Sequence, residues 1–131
     1  MNEDEIKKFC NEWLSAWTGN NPDKLISFYS ENAYYQDPAK PKGIIGQREI
    51  KVYFRKLLAL NPNWKWEMEE VFPYSIGFTL KWKATIPVGN TVITESGMDI
   101  VEIENDRIIR NEVYFDRTKW IEEITKLKKI M

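Results

Sequence analysis

Between residues 4 and 60 the apolar side chains recur three and four apart, and beyond residue 64 they recur two apart. That change of period predicts a helical first half and a stranded second half. In "DEIKKFCNEWLSAW", Ile6, Phe9, Cys10, Trp13, Leu14 and Trp17 fall on one helical face, which ends near "TGNN". "NNPDKLISFYS" predicts a short second helix, with Asn21 as cap, Pro22 at its first turn and Leu25, Phe28 and Tyr29 as its stripe. "AYYQDP" predicts a short extended piece halted by Pro38, and "AKPKGIIG" a loop. "QREIKVYFRKLLAL" then carries Ile50, Tyr53, Phe54, Leu57 and Leu58 at helical spacing, stopped by "NPN".

The second half alternates. "WKWEMEEVF" predicts a strand. In "IGFTLKWKATI", Ile76, Phe78, Leu80, Trp82, Ala84 and Ile86 face one way and Thr79, Lys81, Lys83 and Thr85 the other. "PVGN" reads as a turn and "TVITESGMDIVEIE" as the next strand. "ND" is a tight hairpin turn, and "RIIRNEVYFD" is its return strand. "RTKWIEEITKLKKIM" closes the chain as a helix with Trp120, Ile124 and Leu127 on one stripe. Helices followed by strands predict an α+β fold: a curved antiparallel sheet forming a cone, with three N-terminal helices on its concave face. The expected organisation is one domain over residues 1–131, with residues 117–131 as a C-terminal helical extension. A cone of this kind leaves a cavity, a natural ligand site.

Composition narrows the chemistry. Six Trp, six Tyr and six Phe provide rings to line such a cavity. Nineteen basic residues against 20 acidic ones give no positive surplus, so neither nucleic acid nor an anionic membrane surface is expected as a partner. No apolar run has the length of a membrane span. The start, "MNEDEIKKF", lacks the features of a secretory signal, so the expected location is cytoplasmic. There is no histidine and a single cysteine, Cys10. Imidazole bases and His-ligated metals are excluded, and no metal or other cofactor is expected. Proton transfer must then come from Asp, Glu, Tyr or Lys.

Strand parity nominates the inward side chains. On the last strand Ile109, Val113 and Phe115 form the apolar face, and Asn111 shares it as a polar group in an apolar wall. On the strand before, parity puts Val101, Ile103, Gly97, Glu95 and Asp99 inside. Asp99 would then be a carboxyl in an apolar pocket, able to donate a hydrogen bond while neutral. The competing reading is a bulge near Gly97 that turns Asp99 to solvent. Asp37 has two readings as well. It is a turn residue ahead of Pro38, or a base desolvated by rings.

In this order of elements the chain resembles the nuclear transport factor 2-like superfamily, and within it the ketosteroid isomerases and SnoaL-like polyketide cyclases. The resemblance runs to about Asp116. It rests on "NNPDKLISFYSENAYYQDP", "GIIGQREIKVYFRKLL", "GMDIVEIENDRI" and "NEVYFD" in that order. It implies that Asp37 is a general base and Asp99 a protonated acid on the oxyanion side, the latter one residue nearer the turn than the family pattern. Trp13 stands where the family has a tyrosine on its first helix. Val113 occupies the position at which limonene epoxide hydrolases carry an aspartate, so that chemistry is disfavoured.

Three functions are compatible with this reading. The first is a cofactor-independent isomerase, cyclase or lyase acting on an apolar ketone-like molecule, with Asp37 and Asp99 catalytic. Trp13, Trp17, Tyr29, Tyr53, Phe54, Trp82, Asn111, Val113 and Phe115 would then contact the substrate. The second is a binder that holds an apolar ligand without turning it over. The third is an interaction module whose outer sheet face forms a homodimer or binds a partner.

Overall fold

The computed structural model describes residues 1–130. Its elements are α1 (Glu3–Thr18), α2 (Pro22–Ile26), β1 (Tyr29–Asp37), β2 (Lys40–Ile45), α3 (Gln47–Leu60), β3 (Lys65–Tyr74), β4 (Gly77–Val88), β5 (Thr91–Glu104), β6 (Arg107–Tyr114) and α4 (Thr118–Ile130). The architecture is α+β: a curved, unclosed six-stranded sheet in the order β2-β1-β6-β5-β4-β3 with helices packed against it. All neighbours are antiparallel except β1 and β6, which run parallel.

Local chemistry explains most boundaries. Asn2 and Glu5 form a reciprocal capping box at the start of α1. The Asn21 side chain accepts from the Lys24 amide and caps α2, with Pro22 at its first turn. Asn105 and Asp106 both adopt positive φ, the backbone of a tight hairpin turn that joins strands of natural twist.

Four expectations change. The second helix ends at Ile26, so Tyr29 opens β1 instead of ending a helical stripe. The loop "AKPKGIIG" is mostly a strand, β2, paired with β1. As an edge strand it tolerates Pro41, which has no N–H to donate. Pro87 and Val88 belong to β4, and the turn is only Gly89–Asn90. Ile76, expected inward, is 52% exposed because it lies in the β3–β4 turn.

A register shift on β6 also changes one side chain. Glu102 pairs with Arg110, but the next residue, Ile103, pairs with Ile108. Ile109 is the extra residue of a bulge. Ile108 is therefore the fully buried neighbour and Ile109 is displaced, while Asn111 and Val113 keep their inward parity.

The core lies between α1, α3 and the concave face of the sheet. Trp13, Tyr29, Tyr35, Phe54 and Phe78 are its largest fully buried side chains. Helix α4 contributes no fully buried residue. It lays Trp120 edge-on against Trp64, ring centroids 5.3 Å apart.

Candidate functional site

Strand β1 delivers Asp37 by alternation. Ala33, Tyr35 and Asp37 are its buried positions from the middle onward, so all three point to the concave side. The strand then turns through Pro38 and Ala39 into β2. The carboxylate serves both the turn and the cavity. Oδ1 accepts from the backbone amides of Ala39 (2.9 Å) and Lys40 (3.0 Å), which is the turn-capping role. Oδ2 accepts from the hydroxyls of Tyr35 (2.9 Å) and Tyr53 (2.7 Å). Four donors occupy the roughly four acceptor positions of a carboxylate, which offsets the cost of burying it. Burial, with the neighbouring Asp37, holds both phenols above their ordinary range, so each stays a neutral donor.

Strand β5 delivers Asp99, paired between Leu80 of β4 and Val113 of β6. Trp82 Nε1–H donates to Oδ1 at 2.7 Å, and Asn111 Nδ2 donates to Oδ2 at 3.1 Å. The Tyr29 hydroxyl donates to Asn111 Oδ1 at 2.8 Å, which fixes the amide with its NH₂ toward Asp99. Gly97 makes the Trp82 contact possible. The two residues are cross-strand partners, and a Cβ on residue 97 would overlap the indole ring. Burial pushes the Asp99 carboxyl up to about 7, helped by the charge of Asp37 and opposed by its two donors. Cys10 is fully buried on α1, and burial together with Asp99 raises its thiol to about 12.

Asp37 and Asp99 line one cavity of about 110 Å³. Trp17, Tyr53, Trp82, Val113 and Phe115 line it too. The other nominated contacts stand elsewhere. Trp13, Tyr29, Phe54 and Asn111 are fully buried behind the wall. Among the described residues the Trp13 indole N–H has no hydrogen-bond partner, although it lies beside the Tyr29 hydroxyl. Trp13 therefore packs the core and is not presented to the cavity.

Several lining groups were not nominated. Tyr35 follows from β1 alternation once Asp37 is taken as inward, because the two share parity. Trp66 follows in the same way from the β3 period. Trp64, Asn61, Arg117 and Trp120 lie in connections or on α4, and no local pattern aims them at the cavity. No helix of the described residues is long and apolar enough to cross a membrane.

The fold is a cone-shaped sheet with two buried carboxyls on one cavity. The chain belongs to the SnoaL-like domain family, whose model matches residues 10–111. Similar solved structures agree on the fold. A putative SnoaL-like polyketide cyclase from Shewanella putrefaciens is 13% identical with a TM-score of 0.76, over 93% of this chain and 86% of that one. AclR, a putative hydroxylase from Streptomyces galilaeus, is 12% identical with a TM-score of 0.78, over 95% and 98%. A protein with a ketosteroid isomerase-like fold from Catenulispora acidiphila, in complex with trimethylamine, is 18% identical with a TM-score of 0.74, over 83% and 85%. No curated protein matches the chain in sequence.

Proposed function

We propose that the protein is a cofactor-independent enzyme that moves a proton next to the carbonyl of a small apolar ring compound. One observation carries this reading: two buried carboxyls from different strands face a single, otherwise largely apolar cavity. Buried carboxyls are costly to keep, and pairs whose surroundings differ are the usual source of acid and base roles. Asp37, bound by four donors, is the base. Asp99, neutral over part of the physiological range, donates to the developing oxyanion. The cavity volume suits a monocyclic compound.

The test is turnover of a panel of monocyclic enolisable ketones, followed by solvent deuterium exchange at the carbon beside the carbonyl. Exchange in the native protein that falls at least 100-fold in Asp37→Asn, a typical share for one general base, is the expected result. Exchange that survives in Asp37→Asn removes Asp37 as the base.

Ligand binding without chemistry is the second reading, favoured by the full occupancy of Asp37's acceptor positions. Under it, Asp37→Asn changes affinity and no member of the panel exchanges. A homodimer through the outer sheet is part of the proposal. Phe72, Tyr74, Met98 and Tyr114 are each at least 39% exposed on that face, around an ionic belt of Glu102, Arg110 and Glu112. Light scattering should give twice the chain mass of 15.6 kDa, and a monomer would end this part of the account. A cytoplasmic location and the absence of nucleic-acid partners belong to the same reading, on the balanced charge.

A further inference from the structure

A base needs a free lone pair, and Asp37 has none to spare while its four donors stay in place. One donor must leave before Asp37 Oδ2 can reach a substrate proton. The Ala39 and Lys40 amides cannot leave without opening the β1–β2 turn. The Tyr35 hydroxyl is held by its own strand, and its ring is 2% exposed and packed edge-on against Phe54 at 4.9 Å. Tyr53 differs. It comes from another element, α3, and is only half-buried, although both rings line the cavity. Its ring has Lys40 Nζ over it at 5.5 Å, and Arg117 lies near enough to act on its hydroxyl. Trp13 offers no alternative donor, because its N–H is buried away from the cavity.

We propose that Tyr53 is a catalytic residue with two hydrogen-bond positions. In the resting protein its hydroxyl closes off Asp37 Oδ2. When an enolisable carbonyl compound enters, the hydroxyl turns to the carbonyl oxygen and uncovers that lone pair. One movement thus frees the base and supplies an oxyanion donor. Tyr53 Oη and Asp37 Oδ2 are adjacent, 2.7 Å apart in the resting protein, so a carbonyl compound that meets the hydroxyl with its oxygen brings the hydrogen of its neighbouring carbon within reach of the carboxylate. In the step, the C–H bond breaks and the proton passes to Asp37 Oδ2. The electron pair forms the C=C bond of an enolate. Tyr53 keeps its proton and hydrogen-bonds the enolate oxygen, and Asp37 returns its proton to carbon when the enolate collapses.

This inference rests on the proton-transfer reading, and the experiment separates the two. The probe is pentafluorophenol at pH 6, a monocyclic oxyanion with the charge pattern of an enolate, used where Asp99 still holds its proton. The protein is labelled with ¹³C at tyrosine Cζ. On binding, the Tyr53 signal should move while the Tyr35 signal stays. Tyr53→Phe should weaken the probe about tenfold, the worth of one hydrogen bond to a charged oxygen. If the probe binds with the Tyr53 signal unmoved, or equally well to Tyr53→Phe, the exchange is wrong and the pocket reading stands. If the probe fails to bind at millimolar concentration, the oxyanion-stabilising pocket and the exchange fall together.

Discussion

Asp37 and Asp99 are buried almost equally, at 6% and 5% exposure, yet their surroundings oppose each other. Asp37 ends a strand and is met by four donors, two of them turn amides. Asp99 sits mid-strand and is met by two side-chain donors that are themselves locked in the core. Hydrogen bonds answer the burial of the first, and partial protonation answers the burial of the second. On the proposed reading, the difference separates an acceptor with an exchangeable partner from an acid whose partners are fixed. The same depth of burial therefore supports two chemical roles.

The largest effect that could break this comparison is the pH dependence of stability. The folded-state pKa of Asp99 is raised from 3.8 to about 7, so the folded protein holds a proton there that the unfolded chain has lost. The stabilisation is complete below pH 4 and is lost as pH rises to 7, at about 1.4 kcal/mol per pH unit. Denaturant melts at pH 4.5 and 7.5 should show Asp99→Asn gaining a few kcal/mol on the native protein across that interval. Parallel pH profiles would show that Asp99 is not neutralised by its site.

Asp37→Ala comes next, because it strands two amides and two hydroxyls. A loss of about 3 kcal/mol in unfolding free energy is expected, with Asp37→Asn milder because an amide oxygen still caps the turn. Equal losses for the two variants would remove the dual role of the carboxylate. Gly97→Ala should cost about 1–3 kcal/mol by forcing the Trp82 ring aside. It should also raise the Asp99 midpoint, since the Oδ1 donor is withdrawn. A variant as stable as the native protein, with an unmoved midpoint, would show that Trp82 does not hold Asp99. The smallest effect concerns Cys10. Its buried, raised thiol should resist iodoacetamide in the folded protein and react on unfolding, as followed by mass spectrometry.

Much of this was legible from the residues. The change of period marks where helices give way to strands, and alternation in "IGFTLKWKATI" gives the inward face of β4 from Phe78 to Ile86. Alternation also places Asp99, Asn111 and Val113 on the inner side, despite the bulge at Ile109 that no local signal announces. What escaped was set by tertiary context. The strand β2 contains two lysines, a proline and a glycine, and becomes a strand only because β1 offers it an edge. Trp13 has helical core spacing, and that spacing cannot say whether a buried ring touches a cavity. Trp64, Asn61, Arg117 and Trp120 reach the cavity through the placement of α4 and the α3–β3 connection, which depends on packing at a distance. The two hydrogen-bonding sides of Asp37 were both present as alternatives in the sequence, and the structure joins them in one side chain.

The central claim is that one cavity is served by two carboxyls of different character. Its most direct test is ¹³C NMR of aspartate carboxyl carbons, recorded across pH in the free protein and at pH 6 with bound pentafluorophenol. The account predicts that Asp99 titrates with a midpoint near 7 and that the probe shifts both the Asp99 and the Asp37 signals. An Asp99 midpoint in the ordinary carboxyl range, or a probe that shifts neither signal or only one, would contradict it.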